Sequence, residues 1–465
     1  MSRTLVWLRN DLRLADNPLF HFSTPPESLL CVYVLDDAWF ETQSSLEATR
    51  IGSARLRFLW ESLIALRGEM LKRGSDLLVR IGNPVDAIAT LASEHEIDEV
   101  RVRTDAGWEE MRANQQLAER LGSEVSLTSL EAGTLFDEAS LPMAIEDLPP
   151  GFSAFRRKVE RHCTVPAADA APVTLPGWPE GAPRGFPPLG KVCRRAAAWA
   201  PDDRGGFAFR GGEAEAQTRL DHYLWQSGAV ASYKQSRNGL AGADFSTRFS
   251  PWLALGCLSA RQVHDAVRSW EVEHGANESS YWVTFELLWR DYFHWAARQE
   301  GASLFGGHDL PTPDAGFRAW CDGQTGVPLV DAAMRELAST GWLSNRARQN
   351  VASFLVNELE ADWRLGAAWF EHCLIDYDVA SNWGNWRYVA GVGRDGRDRW
   401  FNVLKQAQHY DPLGDYVAHW QPELAELPAG QARHQPWRAA PSRFSPPLAQ
   451  APGWRDWLLP LEGER

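Results

Sequence analysis

The chain is 465 residues long, more than one ordinary hydrophobic core organises, so two or three domains are expected. Its 44% hydrophobic and 23% charged residues are ordinary for a globular protein; no signal-peptide pattern opens it and no apolar run reaches membrane-spanning length, which argues against a membrane protein and for a cytoplasmic one. The net charge of −14 is uneven, with 14 basic against 25 acidic side chains in residues 1–150 and 33 against 36 in the rest, so acidity does not exclude a local nucleic-acid surface on the later part.

Residues 1–130 alternate β-rich runs with amphipathic segments. "TLVWLR" (4–9), "LLCVYVLD" (29–36), "LLVRIG" (77–82), "EVRVR" (99–103) and "EVSLTS" (124–129) read as strands, with helical patterns at 50–73 and 84–95. Near-continuous apolar strands alternating with helices predict a doubly wound, five-stranded parallel sheet. No G-x-G-x-x-G follows the first strand, so a Rossmann-type dinucleotide site is not expected here.

Residues 131–205 are crowded with proline and glycine and read as an interdomain connector, with "SAFRRKVERH" (153–162) able to form a short basic helix. Residues 206–425 then show helical periodicity and predict an all-helical domain, followed by a proline-rich, irregular tail at 426–465. In "FELLWRDYFHWAAR", Glu286, Trp289, Arg290 and Phe293 share one helix face. The six cysteines are scattered without metal-ligand spacing and read as reduced thiols, so no metal site is expected. Most of the 23 tryptophans read as core residues.

Three stretches carry polar chemistry. In "GADFSTRFSPWLALG", Ser250 and Pro251 match a helix N-cap and first position, preceded by Ser246, Thr247, Arg248 and Phe249. Hydroxyls, a guanidinium and backbone N–H groups at a helix start suit a phosphate; a plain capped helix reads equally well. In "GWLSNRARQN", Asn345 and Arg348 share a helix face, with Arg346 directed elsewhere. A buried Arg348 needs a carboxylate, which Asp376 or Asp378 can supply; an exposed arginine helix is the simpler local reading. "DYDVASNWGNWRYVAG" (376–391) interleaves amides and carboxylates with indoles, a mixture that suits holding something polar and aromatic.

Together, "YKQSRNGLAGADFSTRFSPWLALGCLS", "LLWRDYF", "GWLSNRARQNVASF", "DYDVASNWGNW" and "FNVLKQAQHYDPLGDYVAHWQPEL" resemble the cryptochrome/photolyase family, as does "LVWLRNDLRLADNP" at the start. The resemblance runs in order from about residue 3 to 425 and is nearest to the DASH-type cryptochromes. It implies an α/β antenna-type domain and an all-helical domain binding FAD non-covalently. By motif, Tyr233 and Ser246–Ser250 would hold the phosphates and ribityl chain. Glu286, Trp289 and Arg290 would face flavin and substrate. Asn345, Arg348, Asp376 and Asp378 would surround the isoalloxazine, and Asn382 would face its N5 as donor or acceptor. The implied activity is light-driven electron transfer from reduced flavin to a cyclobutane pyrimidine dimer, preferentially in single-stranded DNA. Flipping of the dimer into a pocket is the general photolyase case. Glu286 and Trp289 would form the dimer pocket, with Arg237, Asn345, Arg346 and Gln406 as DNA contacts. No obligate protein partner is evident.

The resemblance also implies a 5,10-methenyltetrahydrofolate antenna, with Glu109 and Glu110 of "TDAGWEEMRAN" in the relevant stretch. The family's tryptophan relay matches Trp386 as proximal and Trp363 as middle member, while Leu310 stands where the distal tryptophan is expected and Trp320 is the nearest substitute. A photoreceptor that binds FAD and nucleic acid without efficient repair shares nearly all these residues; Glu286 and Trp289 together favour repair. A nicotinamide-dependent dark flavoprotein is disfavoured by the missing glycine fingerprint.

Overall fold

A computed structural model describes residues 2–307, 309–394, 396 and 399–460. Its five-stranded sheet is parallel throughout, in the spatial order Leu78–Ile81, Ser28–Leu35, Arg3–Leu8, Glu99–Thr104, Ser126–Glu131. The central strands bury almost every residue, as apolar runs covered on both faces must. The edge strand Ser126–Glu131 is polar and starts two residues later than its sequence suggests, because Leu127 aligns with Val100. A short antiparallel pair, Thr42–Gln43 with Ala48–Thr49, has no β-rich signature and was not expected.

Helices Ser53–Lys72, Pro84–Glu94 and Trp108–Leu121 make the crossovers. Leu5, Trp7, Leu30, Val32 and Leu78 pack on Ile88, Leu91 and Leu117 on one face of the sheet. On the other face, Val6, Leu8, Leu29, Cys31 and Tyr33 meet the Ser53–Lys72 helix, and this core continues without a break into Trp252, Tyr292 and Trp295 of the helical region. The sheet is therefore welded to the helices that carry the site.

The connector contains the expected helix, Phe152–His162, and is pinned to the sheet by Leu29 N–H donating to the Gly177 carbonyl and by a bridge between Leu78 and Gly185. Beyond it the chain is helical, with Glu278–Glu300, Pro328–Thr340, Asn345–Ser353, Trp363–Cys373, Val379–Val389 and Val403–Tyr410 the main elements around the site. The last part of the chain is less irregular than its prolines suggest: short helices Gln431–His434 and Pro436–Ala439 and a 3-10 segment Pro452–Trp457 bury Trp437 and Trp454. All six cysteines are free thiols. Among the described residues no helix is long and apolar enough to cross a membrane, and no acidic, histidine or cysteine cluster has metal-holding geometry.

Candidate functional site

The 246–250 turn owes its shape to a residue the motif reading missed. Arg219, 3% exposed, donates to the carbonyls of Ala243, Ser246 and Thr247 at 2.9–3.0 Å and to Asp244 Oδ1 at 2.8 Å. Drawing these carbonyls to one side leaves backbone N–H groups of the turn for the other, which is how a chain builds an anion nest. Two expectations need correction. The side chain of Arg248 is committed within the protein: its backbone is left-handed (φ +55°), and its guanidinium turns inward to the Gly242 carbonyl at 2.6 Å, over the Trp342 ring at 4.2 Å. Burial pushes its pKa down to about 10, ahead of the opposing pull of Glu336. Ser250 is not an N-cap either; it is the first helical residue after Phe249, and its Oγ accepts from Trp342 Nε1 at 3.3 Å.

Tyr233 opens the short helix Tyr233–Ser236 and is buried beside the turn's neighbour Tyr223. The Glu278–Glu300 helix, started by a capping box on Asn277, passes alongside. Its Arg290 ties three segments together, donating to the carbonyls of Gly133 and Leu253. The helix crosses Val379–Val389 closely at Gly384, where a Cβ would strike the Phe293 ring.

Arg348 finds its carboxylate in Asp376: Nη2 donates to Oδ2 at 2.7 Å, and Nε donates to the Leu343 carbonyl at 3.0 Å. Asp376 Oδ1 is buried without a partner, as are Gln349 Oε1, Asn350 Oδ1 and Gln406 Oε1. Buried orphan acceptors are rare in folded proteins and point to a ligand. Asp378 is the N-cap of the Val379–Val389 helix and accepts from Ser381 N–H at 2.8 Å, so one function of this residue is structural. Asn382 Nδ2 donates to the Ala367 carbonyl at 2.9 Å, which leaves Oδ1 as its free atom. A flavin ring, with an N3–H donor edge and an N5 that carries hydrogen when reduced, fits acceptors of this kind.

One side of the cradle is aromatic and basic. Trp289 stacks on Phe152 (3.7 Å, 13°) and is met edge-on by Tyr388 (6.0 Å, 76°), and these rings line a cavity of about 360 Å³ with Phe293, Arg157 and Arg387. Tyr388 was missed, although "NWRY" in the quoted motif holds it. Glu286, one turn earlier, pairs with Arg237 and does not line this cavity. Burial raises the Glu286 pKa and Arg237 draws it back. Arg237 also lies 5.5 Å from the Trp282 ring, which stacks on Phe285 at 4.5 Å. Asn345 is exposed at the start of its helix, and Arg346 reaches Asn238 Oδ1 at 2.9 Å over the Tyr410 ring.

The relay residues divide unexpectedly. Trp386 is buried against Phe370 (5.1 Å) and Trp320 (6.1 Å), whereas the ring contact of Trp363 is with Trp383 (5.8 Å). Trp320 is fully buried and donates Nε1–H to the Val351 carbonyl, so it cannot itself be a surface exit.

A second polar centre lies at the sheet's C-terminal edge, where the strand order reverses between Arg3–Leu8 and Glu99–Thr104, the usual ligand crevice of an open α/β sheet. Arg9 pairs with Asp105 at 2.8 Å and Arg50 joins Glu109 (2.7 Å) to Glu371 (2.9 Å). The Glu110 carboxyl is pushed up to about 7 by burial, with the Asp105 charge adding to it.

Two family models match the chain: one described as DNA photolyase over residues 4–176 and one as FAD binding domain of DNA photolyase over 282–446. The chain is 46% identical to a cryptochrome DASH of Gloeobacter violaceus, covering 94% of this chain and 89% of that one. It is 42% identical to a cryptochrome DASH of Danio rerio, covering 97% and 91%. Its structure superposes on a Synechocystis sp. cryptochrome with a TM-score of 0.88 at 39% identity, covering 100% of this chain and 95% of the other.

Proposed function

Because the chain belongs to the DNA photolyase and cryptochrome family, on its DASH branch and with that family's FAD-binding region, we propose that it is a blue-light-driven repair enzyme for cyclobutane pyrimidine dimers, acting preferentially in single-stranded DNA. The observation that carries this reading is the arrangement on one helix: Arg290 knits the helix to two neighbouring segments beside the polar cradle, while Glu286 and Trp289, one turn apart, offer an acid and an aromatic wall to a flipped dimer of adjacent bases.

Bound FAD supplies light absorption and the one-electron chemistry that opens the cyclobutane ring. The chain's own residues bind and orient. The nest held by Arg219 takes the diphosphate, with Tyr233 beside it. Asp376 Oδ1 would accept from a donor edge of the ring, and Arg348 holds that carboxylate in place. Asn382 acts as an acceptor toward N5, since its amide nitrogen is committed to Ala367. Trp289 and Tyr388 give the dimer an aromatic wall, Glu286 donates to a base carbonyl, and Arg237, Arg346, Asn345 and Gln406 meet the strand. Stacking on aromatic faces with few phosphate contacts suits an unpaired strand on an acidic protein. At the sheet edge, Glu110 with Arg9 and Asp105 is suited to the amide-like edge of a folate pterin, and Glu109 forms its outer rim through Arg50.

The test is illumination of purified, reduced protein with dimer-containing single- and double-stranded oligothymidine. Single strands should be repaired faster, and rising salt should weaken binding as phosphate contacts release counterions. Equal rates on both substrates would remove the single-strand assignment, and no repair of either would leave the photoreceptor reading. Separately, Asn382→Ala should retain FAD yet change which flavin redox state accumulates under light, read from the visible spectrum; a spectrum unchanged from wild type would place Asn382 away from N5.

A further inference from the structure

We infer that the exposed basic face of the Phe152–His162 helix is a track for the phosphate backbone of the lesion-bearing strand, leading outward from the rim of the cavity at Trp289. This deepens the repair reading above and rests on it.

The helix is basic out of proportion to the chain. Four of its eleven residues are arginine or lysine and one is acidic, in a protein of net charge −14. Helical periodicity sorts them by face. Phe152, Phe155 and Val159 are buried, with Phe152 stacked on Trp289 and edge-on to Phe285 at 5.2 Å, and Phe155 beside Tyr292 at 5.6 Å. Ser153, Arg157 and Arg161 recur every fourth residue on the opposite face, and all three are exposed, as is Lys158 beside them.

The one acid of the helix does not neutralise this row. Glu160 accepts from the Tyr281 hydroxyl at 2.6 Å and lies 3.8 Å from Arg156, which itself donates to Tyr281 Oη at 2.7 Å. Tyr281 belongs to the Glu278–Glu300 helix, so this pair is drawn to the flank of the row. Among the described residues no carboxylate pairs with Arg157, Lys158 or Arg161.

A solvated helix face has the same composition, and two features set this one apart. The row begins in the candidate site, because Ser153 and Arg157 line the cavity together with Trp289 and Tyr388. The cavity's other arginines are engaged: Arg387 and Arg394 flank Glu300, and Arg399 lies over the Tyr388 ring at 3.5 Å. Arg157 is left as the unpaired cation of the rim. The second feature is rigidity. Phe152 is the first residue of the helix and also the ring stacked on Trp289, so the basic row and the aromatic wall are held in one register.

From Ser153 to Arg161 the row runs about 12 Å at 1.5 Å per residue, room for a few successive phosphates. An extended strand leaving a flipped dimer starts at this rim and carries charge of the complementary sign. Phosphate contacts of this kind position a strand without reading its sequence, which suits a lesion found in any context.

The experiment measures the affinity of FAD-loaded protein for three oligothymidines, each with one dimer: a tetramer, and the same tetramer lengthened on its 5′ side or on its 3′ side. Wild type should bind one lengthened strand more tightly than the tetramer, with a steeper salt dependence. Lys158→Gln combined with Arg161→Gln, both outside the cavity, should lose that gain. Its slope of log affinity against log salt should fall by about 1.4, two contacts at about 0.7 each on a single strand. Its FAD content and its repair of saturating tetramer should match wild type. Arg157→Gln, at the rim, should weaken the tetramer as well. Equal affinity of wild type for all three strands, or an unchanged slope in the double variant, overturns the inference and leaves the repair reading intact. Loss of binding to vesicles of anionic lipid in the double variant, with strand affinity unchanged, would make the face a membrane contact and also overturn it. Failure of wild type to repair any of the three strands under light would instead overturn the repair reading itself.

Discussion

Arg348→Ala protein is expected to purify with little or no FAD and to melt well below wild type. Asp376 has a side chain only 1% exposed, and Arg348 is the cation that compensates its charge. Removing one partner of a buried pair leaves an unpaired carboxylate in a poorly solvated site, at a cost of about 3–5 kcal/mol. The Leu343 carbonyl loses its side-chain donor at the same time. Arg348→Lys should fall between, since an ammonium keeps the charge but cannot bond Asp376 and Leu343 together through one planar group. The ratio of flavin to protein absorbance and the thermal midpoint report the two effects. Full FAD occupancy in Arg348→Ala would mean that the orphan oxygen of Asp376 faces something other than the flavin.

Glu286→Ala should bind FAD normally and lose most dimer repair, by about tenfold or more, the worth of one hydrogen bond to a charged or strongly polar group. As a donor to a base carbonyl, Glu286 must be protonated. Burial raises its pKa above the ordinary carboxylate value, and Arg237 acts in the opposite direction. The competent acid is therefore present at lower pH and is lost as pH rises through the raised pKa. Removing Arg237 shifts that loss to higher pH, so Arg237→Ala should extend repair toward alkaline conditions while weakening DNA binding. Glu286→Gln donates through its amide at every pH and should flatten the profile. Repair rates of pre-bound oligonucleotide across pH, with FAD content as control, test this; a Glu286→Ala protein that repairs as wild type does would remove Glu286 from the dimer pocket.

Much of this architecture is legible along the chain. Strand–helix alternation in the first 130 residues identifies the parallel sheet because strands buried on both faces have to be apolar throughout. The stripe Glu286, Trp289, Arg290 and Phe293 follows from helical periodicity, whereas among its polar neighbours Arg348 reads locally as exposed and gains its carboxylate only from the fold. The order of the motifs identifies the family. These are local properties, set by spacing and residue type.

The rest depended on which faces meet across long stretches of chain. Nothing near Arg219 announces that it clamps the carbonyls of a turn some 25 residues on, and that clamp is what frees the N–H groups of residues 246–250. Arg248 reads as a phosphate ligand by type, yet a left-handed backbone and a ring of aromatics turn it inward. Ser250 has the residue type of a cap, but the helix begins at Ser250 itself, one position too early. Choosing Asp376 over Asp378 for Arg348, Trp383 over Trp386 as the neighbour of Trp363, and Oδ1 as the free atom of Asn382 each required the docking of two helices far apart in sequence. Sequence by itself determined the elements, the family and the kinds of group at the site; packing between distant segments decided which atoms are paired, which are left facing the cradle, and which indole touches which.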